Sequence, residues 1–293
     1  MTKDFCYLAQ GRASNLKKYI TQVPDDADLV LLSYDEEINY DGDFVSYFFP
    51  RSTWAEGRNY LIENVSRCYR FYIFLDDDVL IENGGFQDFQ EKLIKYRPRS
   101  AVPLVNQIKD TFRFLPSALL QETIVFDQLM QAFRHDVLFG GDRCMRYDAK
   151  FDYLSWWYCC EINQLELVVF YGPVVQFNDI HVINANNQVK TGNQIGSTYK
   201  LSDQKIDFFL IYRYLLSKYK NKGLMFLMVY LRCLGRFFPY GPDLRACFGQ
   251  NYHDRYKNET KGKRFVRTVW ALYKLFVRAP LRILGVTPFK KIN

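Results

Sequence analysis

Short solid blocks of apolar residues alternate along this chain with stretches whose apolar positions recur every three or four residues. Solid blocks of four to six read as strands buried on both faces, and the longer period reads as helix. Phe5 to Ala9 predicts a first strand, and Ser14-Asn15 is placed to cap a helix carrying Leu16, Tyr19, Ile20 and Val23 on one face. Leu29 to Leu32 and Val45 to Phe49 predict two further strands, the latter stopped by Pro50. Ser52 or Thr53 then opens a helix running through Cys68, with Trp54, Leu61, Ile62 and Val65 at helical spacing. Phe71 to Leu75 is the fourth strand. A helix from Phe86 to Tyr96 and a strand from Ala101 to Val105 follow. Val137 to Phe139 reads as a strand, Tyr153 to Leu165 as a helix, and Val168 to Phe170 with Val174-Val175 as closing strands. Alternation of this kind predicts an α/β fold with a mostly parallel sheet flanked by helices. From Leu201 the pattern changes to aromatic-rich helices, Asp203 to Tyr219 and Leu224 to Phe238. The expected division is therefore 1–200 for the α/β domain and 201–293 for a helical C-terminal region.

The fourth predicted strand ends in three consecutive carboxylates, Asp76-Asp77-Asp78. Enclosing even one acid without a partner is costly, so three together call for a compensating cation. A hard divalent ion held by oxygen ligands and shared with a substrate phosphate meets that need. The triplet also falls at the carboxyl end of a strand, where open α/β sheets bind their ligands.

An apolar strand followed by Asp-x-Asp, with Gly57-Arg58-Asn59 on the helix before it, resembles the metal-binding signature of GT-A-fold glycosyltransferases that use nucleotide-sugar donors. The resemblance extends over roughly residues 3 to 200. It implies a Rossmann-like GT-A domain and a bound Mn²⁺ or Mg²⁺ that stabilises the departing nucleoside diphosphate. It assigns Asp78 to the metal and Asp76 to the ribose or a metal-bound water, while Asp77, counted with the donor-binding residues, points away or supports the other two. Asp35, at the end of the second strand, corresponds to an acid that reads the nucleotide. Arg58 offers paired donors to a diphosphate. The metal shell in this family is often completed late in the domain, frequently by histidine; His181 is the candidate, with Asp179 as a close substitute. An inverting transferase also needs a carboxylate base for the acceptor hydroxyl. Glu161 lies within the apolar helix Trp156 to Ile162, surroundings that suit a base working near neutrality, and Asp152 is the second candidate. Trp156 and Trp157 are expected first as core packing, and stacking of either on an acceptor sugar is the alternative.

Charge refines the picture. The 33 residues from Lys261 to Asn293 hold nine Lys or Arg and no Asp or Glu, so the other 260 residues are nearly neutral. A nucleic-acid binder would spread basic residues over its folded body, and this chain does not. Arg264, Arg267, Lys274 and Arg278 instead recur at helical intervals beside Phe265, Trp270, Tyr273 and Phe276. That pattern predicts a helix lying in the interface of an anionic membrane. The longest apolar run of the chain, Leu224 to Leu231, is far shorter than the ~20 residues a spanning helix needs. Seven cysteines without paired spacing, and a start without a secretory apolar run, point to the cytoplasm and the inner face of a membrane. The expected function is sugar transfer to a glycan or lipid-linked acceptor, in the synthesis of cell-surface polysaccharide or lipopolysaccharide. Two alternatives share the features: a haloacid-dehalogenase-type phosphohydrolase with Asp76 as nucleophile and Asp78 as acid, and a non-catalytic membrane-associated protein that keeps the sheet.

Overall fold

The computed structural model describes residues 3–105, 120–123, 126–140, 143–154, 156–185 and 208–220, with residue 223. Its strands are β1 (Phe5–Gly11), β2 (Ala27–Ser33), β3 (Val45–Phe48), β4 (Phe71–Asp76), β5 (Val79–Asn83), β6 (Ser100–Val105), β7 (Leu120–Thr123), β8 (Met130–Arg134) and β9 (Val174–Asn184). The helices are α1 (Ala13–Leu16), α2 (Tyr19–Gln22), α3 (Trp54–Asn64), α4 (Phe86–Tyr96), α5 (His135–Phe139), α6 (Trp156–Tyr171) and α7 (Phe208–Tyr219).

The nine strands among the described residues form one sheet in the order β3-β2-β1-β4-β8-β6-β9-β5, with β7 added along β9. The half containing β3, β2, β1 and β4 is parallel throughout, and antiparallel β8 joins it to the rest. Side chains alternate across this sheet. Phe5, Tyr7 and Ala9 face one apolar layer with Leu16, Tyr19, Phe89 and Leu93, so α1, α2 and α4 cover that side. Cys6 and Leu8 face the opposite layer with Leu61, Ile62, Val137 and Leu167, under α3, α5 and α6. A sheet wrapped on both faces explains why its inner strands read as unbroken apolar blocks.

Several elements differ from expectation, each for a physical reason. The single helix expected after β1 is two short ones, and Ser14 lies inside α1 without capping it. Acids from neighbouring strand ends bind the first amides instead: Arg12 N–H donates to Asp77 and Ala13 N–H to Asp35. Val137 to Phe139 is helical, and three apolar residues are too few for periodicity to decide. Val168 to Phe170 belong to α6, which continues to Tyr171. That helix packs against the sheet through Cys159 and Leu167 and against α7 through Ile162 and Leu165. Being apolar on two sides, it carries no amphipathic stripe to distinguish it from strand. β5, β7 and β8 were not foreseen. The helix expected at Leu224 to Phe238 and the basic segment 261–293 lie outside the described residues.

Candidate functional site

Because β1, β2 and β4 run parallel, Gly11, Ser33 and Asp76 reach the same edge of the sheet together. Gly11 has φ +155°, and a Cβ there would lie 2.1 Å from the Cβ of Asp77, so only glycine admits the acid turn at this distance. Asp77 Oδ2 accepts from Arg12 N–H and from the Asn15 amide, both at 2.9 Å. Its carboxylate ties the β4–β5 turn to the start of α1. Asp35 stands beside it, exposed, with Oδ1 accepting from Ala13 N–H at 3.0 Å, Ser33 Oγ at 2.8 Å and Glu36 N–H at 3.0 Å. Partial enclosure pushes the Asp35 carboxyl up, but these donors outweigh it and hold it below the usual range.

Asp76 is positioned from the helix before its own strand. Thr53 caps α3 in a reciprocal box with Glu56, which starts the helix at Trp54. The Trp54 indole N–H then donates to Asp76 Oδ1 at 3.0 Å, and one turn later Arg58 donates to the same oxygen at 2.8 Å. Gly57 lets α3 approach β1, since a Cβ would sit 2.5 Å from Gln10 Oε1. Asn59 grips the backbone of Tyr147 through both its N–H and its C=O. Each residue of Gly57-Arg58-Asn59 therefore has a separate packing task.

Arg58 is not where a diphosphate ligand would stand, which corrects the expectation for it. Its side chain is 0% exposed and its guanidinium is committed to Asp76, to the Gln128 carbonyl at 2.8 Å and to the Tyr147 hydroxyl at 3.0 Å. The Trp54 ring stacks on it at 4.2 Å. It is an internal counter-ion for the acid edge. Enclosure still raises the Asp76 carboxyl, against the opposing pull of Arg58.

Asp78 accepts from the Asn184 side-chain amide, and its backbone carbonyl accepts from Ala185 N–H at 2.6 Å. The late residue that meets Asp78 is thus Asn184. His181 pairs with Asn83, four residues along β5 from the Val79–Asn184 pair, and its Nε2 lies 2.8 Å from the Asn178 carbonyl. Before His181 the pairing of β9 with β6 slips, from Pro103–Phe177 to Leu104–His181. Asp179 is occupied on the α4 side by Lys92, at 2.7 Å. Neither is brought to the triplet.

Glu161 and Asp152 are the two candidate bases. Glu161 is 6% exposed on α6, whose adjoining Cys160 carbonyl and Asn163 amide clasp Gln128. Asp152 is half-buried before α6, and its Oδ2 accepts from Ala55 N–H at 2.6 Å, next to Trp54. A further acid, Asp127, went unread. It precedes β8 in Phe126-Asp127-Gln128, and its nearness to the acid edge follows from the pairing of β8 with β4, which no local pattern signals. Its carboxyl is pushed up by enclosure and by the charge of Asp78. Among the described residues, no three His, Cys, Asp or Glu side chains gather as a complete metal shell.

Comparison with solved structures bears on the fold. The structure of S. aureus TarS superposes with a TM-score of 0.50 at 12% identity, over 97% of this chain and 50% of that one. The chain has a GT-A fold. Residues 1–349 of S. aureus TarS in complex with UDP-GlcNAc give 0.48 at 12% identity, over 97% of this chain and 84% of that one. GalNAc-T7 with UDP, GalNAc and Mn²⁺ gives 0.43 at 11% identity, over 61% and 43% of the respective chains. No protein-family model matches the chain, and neither does any curated protein sequence. In the GT-A frame, Asp35, Asp76 and Asp78 occupy the strand-end edge where β1, β2 and β4 open.

Proposed function

We propose that this protein is a metal-dependent glycosyltransferase that moves a sugar from a nucleotide-sugar donor to a glycan or lipid-linked acceptor. The observation that carries the reading is Asp76-x-Asp78 at the open end of β4 in a GT-A sheet, with Asp35 beside it at the end of β2. In the transfer, the bond from the sugar's anomeric carbon to the diphosphate oxygen breaks, and a bond to the acceptor oxygen forms. The acceptor's proton passes to a base, and nucleoside diphosphate leaves.

Oxygen donors dominate the acid edge, and Asp78 is oriented by Asn184, so the residues fit a hard divalent cation. Asp78, with Asp76 beside it, would hold Mn²⁺ or Mg²⁺, which supplies Lewis-acid stabilisation of the leaving diphosphate. Asp76 keeps a fixed orientation through Trp54 and Arg58 and presents its remaining edge to the donor. Asp35 accepts from donor hydroxyls, and Asp77 holds the turn. Of the two candidate bases, Asp152 is favoured because it retains solvent contact, whereas Glu161 is nearly enclosed. The phosphohydrolase alternative needs Asp76 as a nucleophile, and the Arg58 and Trp54 bonds to Oδ1 disfavour that role. Attachment through 261–293 to the inner face of an anionic membrane, in surface polysaccharide or lipopolysaccharide synthesis, belongs to the same proposal.

The test is thermal stabilisation by a panel of nucleotide sugars, with and without Mn²⁺, alongside release of nucleoside diphosphate. Parent protein should be stabilised by at least one donor only when metal is present. Asp78→Ala should lose that stabilisation while melting as cooperatively as the parent. Equal donor binding by Asp78→Ala would remove the metal role from this residue.

A further inference from the structure

Tyr153, Leu154 and Trp156 present apolar surface to water, at 74%, 47% and 42% exposure. The segment bearing them is fastened from its N-terminal side. Phe151 is 5% exposed, with its ring edge-on to Tyr214 at 5.2 Å. Leu154 N–H donates to the Phe151 carbonyl at 2.9 Å. Upstream, Asp148 accepts from Lys218 and Tyr214, both at 2.7 Å. Asp152, between Phe151 and Tyr153, is anchored on Ala55 N–H. A loop bound this closely holds its large apolar side chains outward against the hydrophobic effect, and contiguous exposed apolar surface marks a binding site.

The position of the patch indicates what it binds. The ring of Trp156 lies 6.5 Å from that of Trp54, whose indole N–H reaches Asp76. Trp156 therefore stands next to the aromatic ring that meets the acid edge, and the exposed Tyr153 and the Asp152 carboxylate precede it in the chain. Flat rings next to a hydrogen-bond acceptor match a ligand with an apolar face and a rim of hydroxyls. A lipid chain would gain nothing from Asp152. Resting on the glycosyltransfer reading, we propose that Tyr153, Leu154 and Trp156 form the acceptor shelf of this protein. It receives a pyranose ring through the ring's C–H face, while Asp152 accepts from one of its hydroxyls.

The probes are p-nitrophenyl glycosides of glucose, galactose, mannose and N-acetylglucosamine, offered to the full chain. Saturable quenching of tryptophan fluorescence in the absence of any nucleotide sugar reads the shelf alone. Transfer kinetics with the stabilising donor read its use. Trp156→Ala should abolish the quenching and raise the KM for the glycoside about tenfold, the equivalent of one lost stacking contact. Trp156→Phe should restore most of that loss, and the thermal shift given by the nucleotide sugar should match the parent's. A parent that is stabilised by a donor but quenched by none of the glycosides overturns the shelf. So does Trp156→Ala with an unchanged KM, or one that loses flotation with anionic liposomes while keeping its glycoside quenching. A parent that is quenched but stabilised by no donor overturns the transfer reading and leaves the shelf in place.

Discussion

A fully buried guanidinium must find anions and carbonyls within its own fold, and Arg58 finds them in Asp76, Gln128 and Tyr147. At the scale of single residues, this pairing lets an acid stand at the sheet edge before any ligand arrives. Burial alone would favour a neutral Asp76; the fixed cation beneath it opposes that shift. Arg58→Met should cost about 3 kcal/mol in urea unfolding, since it leaves a largely enclosed carboxylate without its partner. Arg58→Lys should recover little of this. An ammonium cannot reproduce the planar fork that reaches a carboxylate, a carbonyl and a hydroxyl at once while stacking on Trp54. Full recovery by lysine would show that only charge matters at this position. The sequence announced Arg58 as important but misdirected its role. Its neighbours in the chain do not reveal that α3 turns the side chain under β4 instead of out over it.

At the scale of elements, legibility followed local pattern and failed where tertiary contacts decide. The α4 helix, Phe86–Tyr96, has the predicted limits because its apolar stripe and the left-handed Arg97 at its end are local features. α1 failed because its first amides are satisfied by Asp35 and Asp77, which are distant in sequence. The place of the triplet at the end of β4 was legible, whereas Asn184 beside Asp78 depends on the antiparallel pairing of β5 with β9. The docking of α7 is a contact of the same kind. Lys218 bonds Asp148 and Glu166, both at 2.7 Å, with these two carboxylates only 7% and 12% exposed. Replacing the cation by methionine leaves the two acids facing each other and should cost about 2 kcal/mol, in the range of hydrogen bonds to charged groups. Enclosure lowers the Lys218 ammonium, but Glu166 and Asp148 outweigh it, so its folded pKa lies above the ordinary value. The clasp's contribution is therefore complete below pH ~10.4 and is lost as pH rises through the higher folded value. The melting difference between parent and Lys218→Met should hold from pH 6 to about 9 and shrink only in stronger alkali. A difference that shrinks on acidification alone would show that the Lys218 ammonium is not what sets the pH dependence.

At the scale of the whole molecule, charge is divided between a nearly neutral body and a basic C-terminal segment. The segment's nine positive charges from Lys261 onward lie among Phe265, Trp270, Tyr273 and Phe276. No helix among the described residues is long and apolar enough to cross a membrane. In the proposed attachment the segment acts through attraction to anionic headgroups, at about 1 kcal/mol per cation, and through shallow burial of the aromatic rings. These two contributions respond differently to salt. Screening shortens the Debye length to about 3 Å at 1 M and removes most of the attraction, while apolar insertion persists. High salt should accordingly release only part of the protein from liposomes containing anionic lipid, and uncharged liposomes should retain a small fraction at any salt. A chain ending at Gly262 should fail to float with either, yet be stabilised by the same nucleotide sugar and show the same glycoside quenching as the full chain. Flotation of the shortened chain equal to the parent's would place the membrane contact outside 261–293. Loss of donor stabilisation in the shortened chain would instead make the segment part of the folded transferase, and its basic face would then be a surface of that domain.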